Sequence, residues 1–408
     1  MTVTPLRAFR SAVVCWAVLA GVGASNPAGA YPFMIRRDYT ACGQCHADPS
    51  GGSLLTAYGR ATGELLLRSQ YGAAEDRDPG TIGNFLFGAV PLPENVLLGA
   101  AARGMAMNTG PVGGESTTRA FPMQLDAIAQ VALWKFRGNA SLGYGQGAPT
   151  QAITLFHADP TAATGPQLVS RHNWLGVDLG EDKEWLVRFG RMNLPFGLRS
   201  LEHTQWIRSE TRTDTNIAQE DGLAVAYSTP GLRGEAMAIV GNLVLNPPEY
   251  RELGYSAFVE YAPFPHLGLG VSSLITHADL DVATGAPMWR HAHGVFARYS
   301  PHRMLVVSTE QDLTLFSQPA TVNLWGLASQ LEVDFEPYQG VHLLATGELK
   351  TRGLGFYGAG VGAWGSLAWF FAPHVDIRAD VIYRNVPETP VTSASETVSV
   401  LAQFHAYL

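Results

Sequence analysis

The segment Val375-Asp376-Ile377-Arg378-Ala379-Asp380-Val381-Ile382-Tyr383-Arg384 decides the fold. In an extended chain successive side chains point to opposite faces. Val375, Ile377, Ala379, Val381 and Tyr383 therefore share one face, and Asp376, Arg378, Asp380, Ile382 and Arg384 share the other. The same alternation runs through 341–350, where Val341, Leu343, Ala345 and Leu349 oppose His342, Thr346, Glu348 and Lys350. It recurs through 323–335, with Trp325, Leu327, Leu331, Val333 and Phe335 against Gln330, Glu332 and Asp334. Apolar-out, polar-in segments of about ten residues mark a transmembrane β-barrel with a wet interior.

The turns between these segments repeat as well. Tyr261-Ala262-Pro263, Tyr299-Ser300-Pro301, Phe335-Glu336-Pro337 and Phe371-Ala372-Pro373 share an aromatic-x-Pro pattern, with Tyr227-Ser228-Thr229-Pro230 as a longer variant. Their prolines are 33, 38, 36 and 36 residues apart, the length of two strands, a short turn and a longer loop. A fixed period of this size signals a repeated architecture, and the aromatics suit a girdle at a membrane interface. Sixteen such segments fit between residue 95 and the end, one of them spanning 167–179. An even number puts both termini on one side, the periplasm, and a barrel of this size leaves a lumen wide enough for a plug. The last strand places Val400, Ala402, Phe404, Ala406 and Leu408 on the lipid face.

The lumen parity leans acidic. Asp126, Glu260, Glu310, Asp312, Glu332, Asp334, Glu348, Asp376 and Asp380 stand against Arg188, Arg298, Arg378 and Arg384. Such a lumen favours cations over anions. The longest outer connection is 193–219, the third, which includes His203, Trp206, Arg208 and Arg212. Long ordered loops tend to be functional, which makes His203 the barrel residue expected nearest the plug. His291 and His293 form an i,i+2 pair at a strand's outer end; their parity with Val295 and Tyr299 makes them interfacial rather than metal-facing.

Ahead of the barrel stands Cys42-Gly43-Gln44-Cys45-His46, the Cys-x-x-Cys-His signal for covalent attachment of one c-type haem. Two thioethers tether the porphyrin and the adjacent histidine becomes the proximal iron ligand. Residues 1–30 read as a secretory signal: Arg7 and Arg10, a short apolar run, then Ala28-Gly29-Ala30. Its removal takes Arg7, Arg10 and Cys15 away, leaving 25 basic and 35 acidic groups, a net charge of −10. That acidic balance fits no nucleic-acid partner. Cys42 and Cys45 are then the last two cysteines, so no disulfide framework exists, and no second Cys or His pair follows to complete a zinc site. Domain boundaries fall at 1–30, 31–94 and 95–408.

Residues 31–94 read as a small helical cap or plug. Pro49, Gly51 and Gly52 form a turn, Ser53 is the expected N-cap, and Leu54, Tyr58, Ala61 and Leu65 form one apolar stripe. Arg60–Glu64 and Glu64–Arg68 are i,i+4 pairs, and Gly72 is the expected stop. Between Ala47 and Gly104 there is neither Met nor His, so the second axial ligand must come from elsewhere. The candidates are Met34, the amine of Tyr31 at the mature N-terminus, a later histidine such as His203, or an open site. The Tyr31-Pro32 start is similar to that of mature cytochrome f, which uses its amine. Arg36, Arg37 and Arg60 are candidate partners for the haem propionates, because guanidinium pairs bidentately with carboxylates.

Pro32, Arg36, Cys42, Cys45, His46, Pro49, Leu54 and Tyr58-Gly59-Arg60 resemble the haem-proximal pattern of fused monohaem cytochrome–porins of Gram-negative outer membranes, typified by iron(II) oxidases. The motif covers about residues 32–60, and the chain departs from the family in its short length and its Gly51-Gly52 turn. The resemblance implies an oxidoreductase-like outer-membrane cytochrome c, moving electrons between an extracellular donor, a metal ion such as iron(II) or a small molecule, and a periplasmic c-type cytochrome or other carrier. The alternative is a haem-plugged diffusion porin or solute channel in which the haem senses or gates. A haem enzyme with an open sixth position is a third reading.

Overall fold

The computed structural model describes residues 32–52, 54–70, 84–146, 166–200, 202, 204–215, 217–243, 248–319, 323–355, 357–389 and 393–408. The signal-like segment 1–30, Tyr31, Ser53, Gly72 and His203 lie outside them.

Seventeen strands form one sheet that closes on itself. They are β1 (Val96–Pro111), β2 (Thr117–Leu133), β3 (Phe136–Gln146), β4 (Pro166–Val169), β5 (Asn173–Leu179), β6 (Trp185–Asn193), β7 (Gln219–Ser228) and β8 (Leu232–Gly241). The rest are β9 (Leu253–Phe264), β10 (Leu267–Ala278), β11 (Met288–His302), β12 (Leu305–Ser317), β13 (Gly326–Tyr338), β14 (Val341–Thr351), β15 (Gly360–Ala372), β16 (Val375–Val386) and β17 (Ser395–Tyr407). Each pairs antiparallel with its chain neighbour, and β1 also pairs with β17, Ala101 opposite Tyr407. β4 and β5 both pair with β3 and are two halves of one stave. The barrel therefore has sixteen staves, the expected number.

The single expected strand at 167–179 is broken at Ser170-Arg171-His172. Ser141 Oγ accepts from the backbone N–H groups of Arg171 and His172 at 3.0 and 2.8 Å, in place of ladder partners. The aromatic-x-Pro motifs lie at the short-turn end. Pro301 and Pro337 fall inside the register shifts between Tyr299 and His302 and between Phe335 and Tyr338. A bulge is where a strand tolerates a residue with no N–H to give the ladder.

The burial pattern is inverted relative to a water-soluble domain. Leu175, Leu331, Leu343, Val381, Val400 and Phe404 point outward and are exposed, whereas Arg188, Arg191, Arg290 and Arg298 are among the most deeply buried side chains. Exposed apolar surface on this scale calls for an apolar surrounding, and inward charges require partners. Arg290 pairs with Glu252 at 2.5 Å, Arg298 with Glu260 at 2.6 Å and Arg384 with Glu348 at 2.8 Å. Arg171, Arg191, Arg233 and Arg290 also face inward and pair with carboxylates, yet buried carboxylates still outnumber buried arginines among the described residues, so the acidic lean persists. His291 and His293 lie on the outer face beside Trp325, as their parity requires.

Two segments fill the lumen. The third long loop folds inward, carrying α2 (Trp206–Thr211) to β12, β13 and β14 across the barrel. Glu348 accepts from Trp206 N at 2.6 Å, Glu310 from Leu198 N at 2.9 Å, and Glu210 from Lys350 and Arg352. The N-terminal segment 32–70 fills the short-turn end. It is pinned by Arg36 on Glu336 at 2.9 Å and on Asp334, by Ser69 N on Phe370 O at 2.9 Å and by Arg298 on Thr40 O at 3.0 Å.

Candidate functional site

A 3-10 turn over Cys42–Gln44 brings the N–H groups of Cys45 and His46 onto the Cys42 carbonyl, at 3.1 and 3.0 Å. His46 then bridges to Leu55, Ala47 N donates to Leu54 O at 2.9 Å, and Thr56 N to Cys45 O at 2.9 Å. The motif is folded back on itself by a reverse turn. Gly51 and Gly52 at that turn have φ of 93° and 82°, a region L side chains rarely adopt.

α1 (Ala57–Leu66) leaves this hairpin directly. Its cap is Thr56, whose hydroxyl accepts from Gly59 N at 3.0 Å, three residues beyond the expected start at Ser53. A Cβ on Gly59 would lie against the Cys45 carbonyl, so only glycine allows the helix this close to the motif. The expected apolar stripe holds at Leu54, which is buried ahead of the helix, and fails further on. Tyr58 and Leu65 are exposed by 54% and 55%, while Arg60, Thr62 and Glu64 are buried. The physical reason is the surrounding lumen, which is polar and takes the helix's polar face. Of the two expected ion pairs, Glu64–Arg68 forms at 2.9 Å; Arg60 instead donates to Leu98 O on β1.

Cys42 and Cys45 are buried thiols. Burial, with Cys42 beside it, pushes the Cys45 thiol up to about 12. Arg233 Nη1 lies 3.2 Å from Cys42 Sγ. Asp48 is fully enclosed, and burial alone would raise its carboxyl; Arg188, Arg199 and His172 around it hold it well below the usual carboxylate range. Arg188 approaches it at 3.5 Å and Arg199 at 3.6 Å, and Ser50 N donates to it at 2.9 Å.

Cys42, Cys45, His46, Met34 and Arg60 all line one cavity inside the barrel mouth, about 1590 Å³ of atom-free space with its opening included. Leu54, Leu55, Leu67 and Ile128 supply apolar wall, and Met34 packs with Leu67 and Phe370. Arg36 stands apart from the cavity, its guanidinium held by Asp334 and Glu336, with Arg37 3.4 Å from Glu336. Tyr31 and His203 fall outside the described residues.

Sequence reasoning missed His172, His405, Arg103 and Arg199, which line the same cavity. In a continuous strand Arg171 and His172 would face opposite ways; the break between β4 and β5 buries both.

No family model matches the chain, and no curated protein matches it. The fold has well-defined relatives among solved structures. OmpT, an outer membrane protein of Vibrio cholerae, superposes with a TM-score of 0.56 at 10% identity, over 78% of this chain and 100% of that one. An anion-selective porin from Comamonas acidovorans gives 0.54 at 11% identity, over 77% and 99%. Salmonella typhi OmpF gives 0.53 at 13%, over 76% and 97%. The chain is thus a closed sixteen-stave antiparallel barrel of the porin kind, with its N-terminal segment folded into the mouth.

Proposed function

We propose that this protein is a Gram-negative outer-membrane barrel that holds one covalent c-type haem in its periplasmic mouth and passes electrons through it. The observation that carries this reading is the shared cavity: Cys42, Cys45 and His46, spaced for haem attachment, line one internal space with Met34.

The residues fit the group. Two thiols and an imidazole occupy one wall; Gly52 leaves open space beside them, and Gly59 lets α1 pack directly against the Cys45 backbone behind that wall. Cys42 and Cys45 would hold the porphyrin and His46 the iron. Met34 is favoured for the distal side because it is buried at the same cavity among apolar neighbours, which also protects a thioether from water. When bound, the haem supplies one reversible electron, at a potential set by ligand, burial and nearby charge. The protein's part is to fix that group across a wall that lipid would otherwise insulate. An outside donor, iron(II) among the candidates, and a periplasmic carrier would then reach it from opposite ends. The two termini and the short turns would face the periplasm.

A second reading has its own support. The solved relatives include porins and the third loop folds into the lumen, so the haem plug would gate a solute channel. Both predict a pyridine haemochrome spectrum of the c type from the purified protein. They part in vesicles loaded with an oxidised cytochrome and given iron(II) outside. Reduction of the trapped cytochrome supports the conduit; solute efflux without reduction overturns it in favour of the gated channel.

A further inference from the structure

Six arginines line the cavity (Arg60, Arg103, Arg171, Arg199, Arg233 and Arg298) against one side-chain carboxylate, Asp126, with the carboxyl group of Leu408 at the same wall. Asp126 is taken by Arg171. Arg233 and Arg298 share Glu260, and Arg199 lies 3.6 Å from Asp48. That leaves Arg60 and Arg103. Arg60 is 4% exposed, donates to the backbone carbonyl of Leu98 and lies 6.0 Å from the Phe85 ring, and its Nε is buried without a hydrogen-bond partner. Arg103, on β1, has no ion pair or hydrogen bond among the described residues, and its Nε is buried too. A buried charge without a counter-charge costs far more than a pair; with Arg60 buried and Arg103 half-buried on one wall, neither of them ion-paired, the cavity suits an anion.

The stretch of β1 between them carries only small residues. Arg60 docks at Leu98, and β1 carries Arg103 five residues further into the lumen, about 17 Å along the strand at ~3.4 Å per residue. Between the two lie Gly99, Ala100, Ala101 and Ala102, the first three of which line the cavity. Their own side chains are no larger than a methyl; Leu54 of the plug packs over Gly99, with an Arg60 guanidinium nitrogen beside it.

We propose that Arg60 and Arg103 form a carboxylate-binding pair on the β1 wall and that they take the two propionates of a haem held by Cys42, Cys45 and His46. This rests on the haem reading above. It adds Arg103, a barrel residue, to the haem site, and it replaces Arg36, whose charge is already met by Asp334 and Glu336.

A cation at a propionate favours the less positive ferrous haem. Arg103→Gln and Arg60→Gln should therefore each lower the midpoint potential, by a tenfold change in the reduced-to-oxidised ratio, or about 59 mV for one electron. Arg103→Lys, which keeps the charge, should restore most of it. Arg119→Gln, at an exposed position at the far end of β2 from the plug, should leave the potential unchanged. Heat-modifiable gel migration confirms that each barrel is folded. An unchanged potential in Arg103→Gln, with haem attached and the barrel folded, overturns the assignment. A wild-type potential that shifts on titration with inorganic phosphate, and ceases to shift in Arg103→Gln, overturns it as well, because the pair then serves a free oxyanion. Absence of any c-type haemochrome in the wild type overturns the haem reading itself, a separate result.

Discussion

The Asp48 carboxylate of the plug lies 3.6 Å from the Arg199 guanidinium of the third outer loop. The two segments that fill the lumen are therefore joined to each other, not only to the wall. Arg188 of β6 completes the arrangement at 3.5 Å. Asp48→Asn removes the charge from a fully enclosed site and leaves two guanidiniums without it. Loss of one partner of a buried pair costs about 3–5 kcal/mol. Hydrogen exchange should rise in both 40–52 and 196–200, and a rise confined to the plug would show the two segments to be uncoupled.

Gly59→Ala tests the close approach of α1. Alanine gains about 1 kcal/mol of helix propensity over glycine. Here its Cβ would meet the Cys45 carbonyl, a backbone atom that cannot swing aside. Overpacking of this kind costs about 1–3 kcal/mol, so sterics win. The yield of covalent haem per barrel should fall; an unchanged yield would mean that α1 can move off the motif freely.

Arg36→Gln should loosen the plug. The substitution strips two ion pairs from Asp334 and Glu336, whose carboxylates are buried. The loss of the buried network is again about 3–5 kcal/mol. Protease cleavage between residues 32 and 45 should become faster, and ion conductance in planar bilayers should increase. Conductance equal to the wild type would show that the plug does not depend on this latch.

Glu348→Gln addresses the inward loop. Glu348 accepts from Trp206 N, from the Trp364 indole and from Arg384, and Trp206 is itself flanked by the Lys350 and Arg384 cations at 4.7 and 4.9 Å. A neutral amide keeps the shape and weakens three charge-assisted bonds, each worth roughly 1.5–3 kcal/mol. Amide exchange across Trp206–Thr211 should accelerate while the barrel strands keep their protection. Equal protection in variant and wild type would assign the loop's position to packing alone.

Much of this molecule is legible as a string. Period-two alternation through Val375–Arg384 must put apolar groups on one face whatever the surroundings, because strand geometry is local. The prolines mark the turns for the same reason: a residue without an N–H cannot sit inside a ladder. Cys42, Cys45 and His46 are close in sequence, so their proximity is assured by the covalent chain. Arg103, Arg199, His172 and His405 are separated by tens to hundreds of residues. They meet at the cavity only because the barrel closes β1 onto β17, a local break turns Arg171 and His172 inward, and the third loop crosses the lumen. Helix α1 makes the same point in reverse. Its stripe of Tyr58 and Leu65 promises an apolar core, yet the polar lumen takes Arg60 and Glu64 instead. Local periodicity determines which side chains share a face. Only tertiary structure decides what that face meets, because the medium on the other side is set by distant parts of the chain.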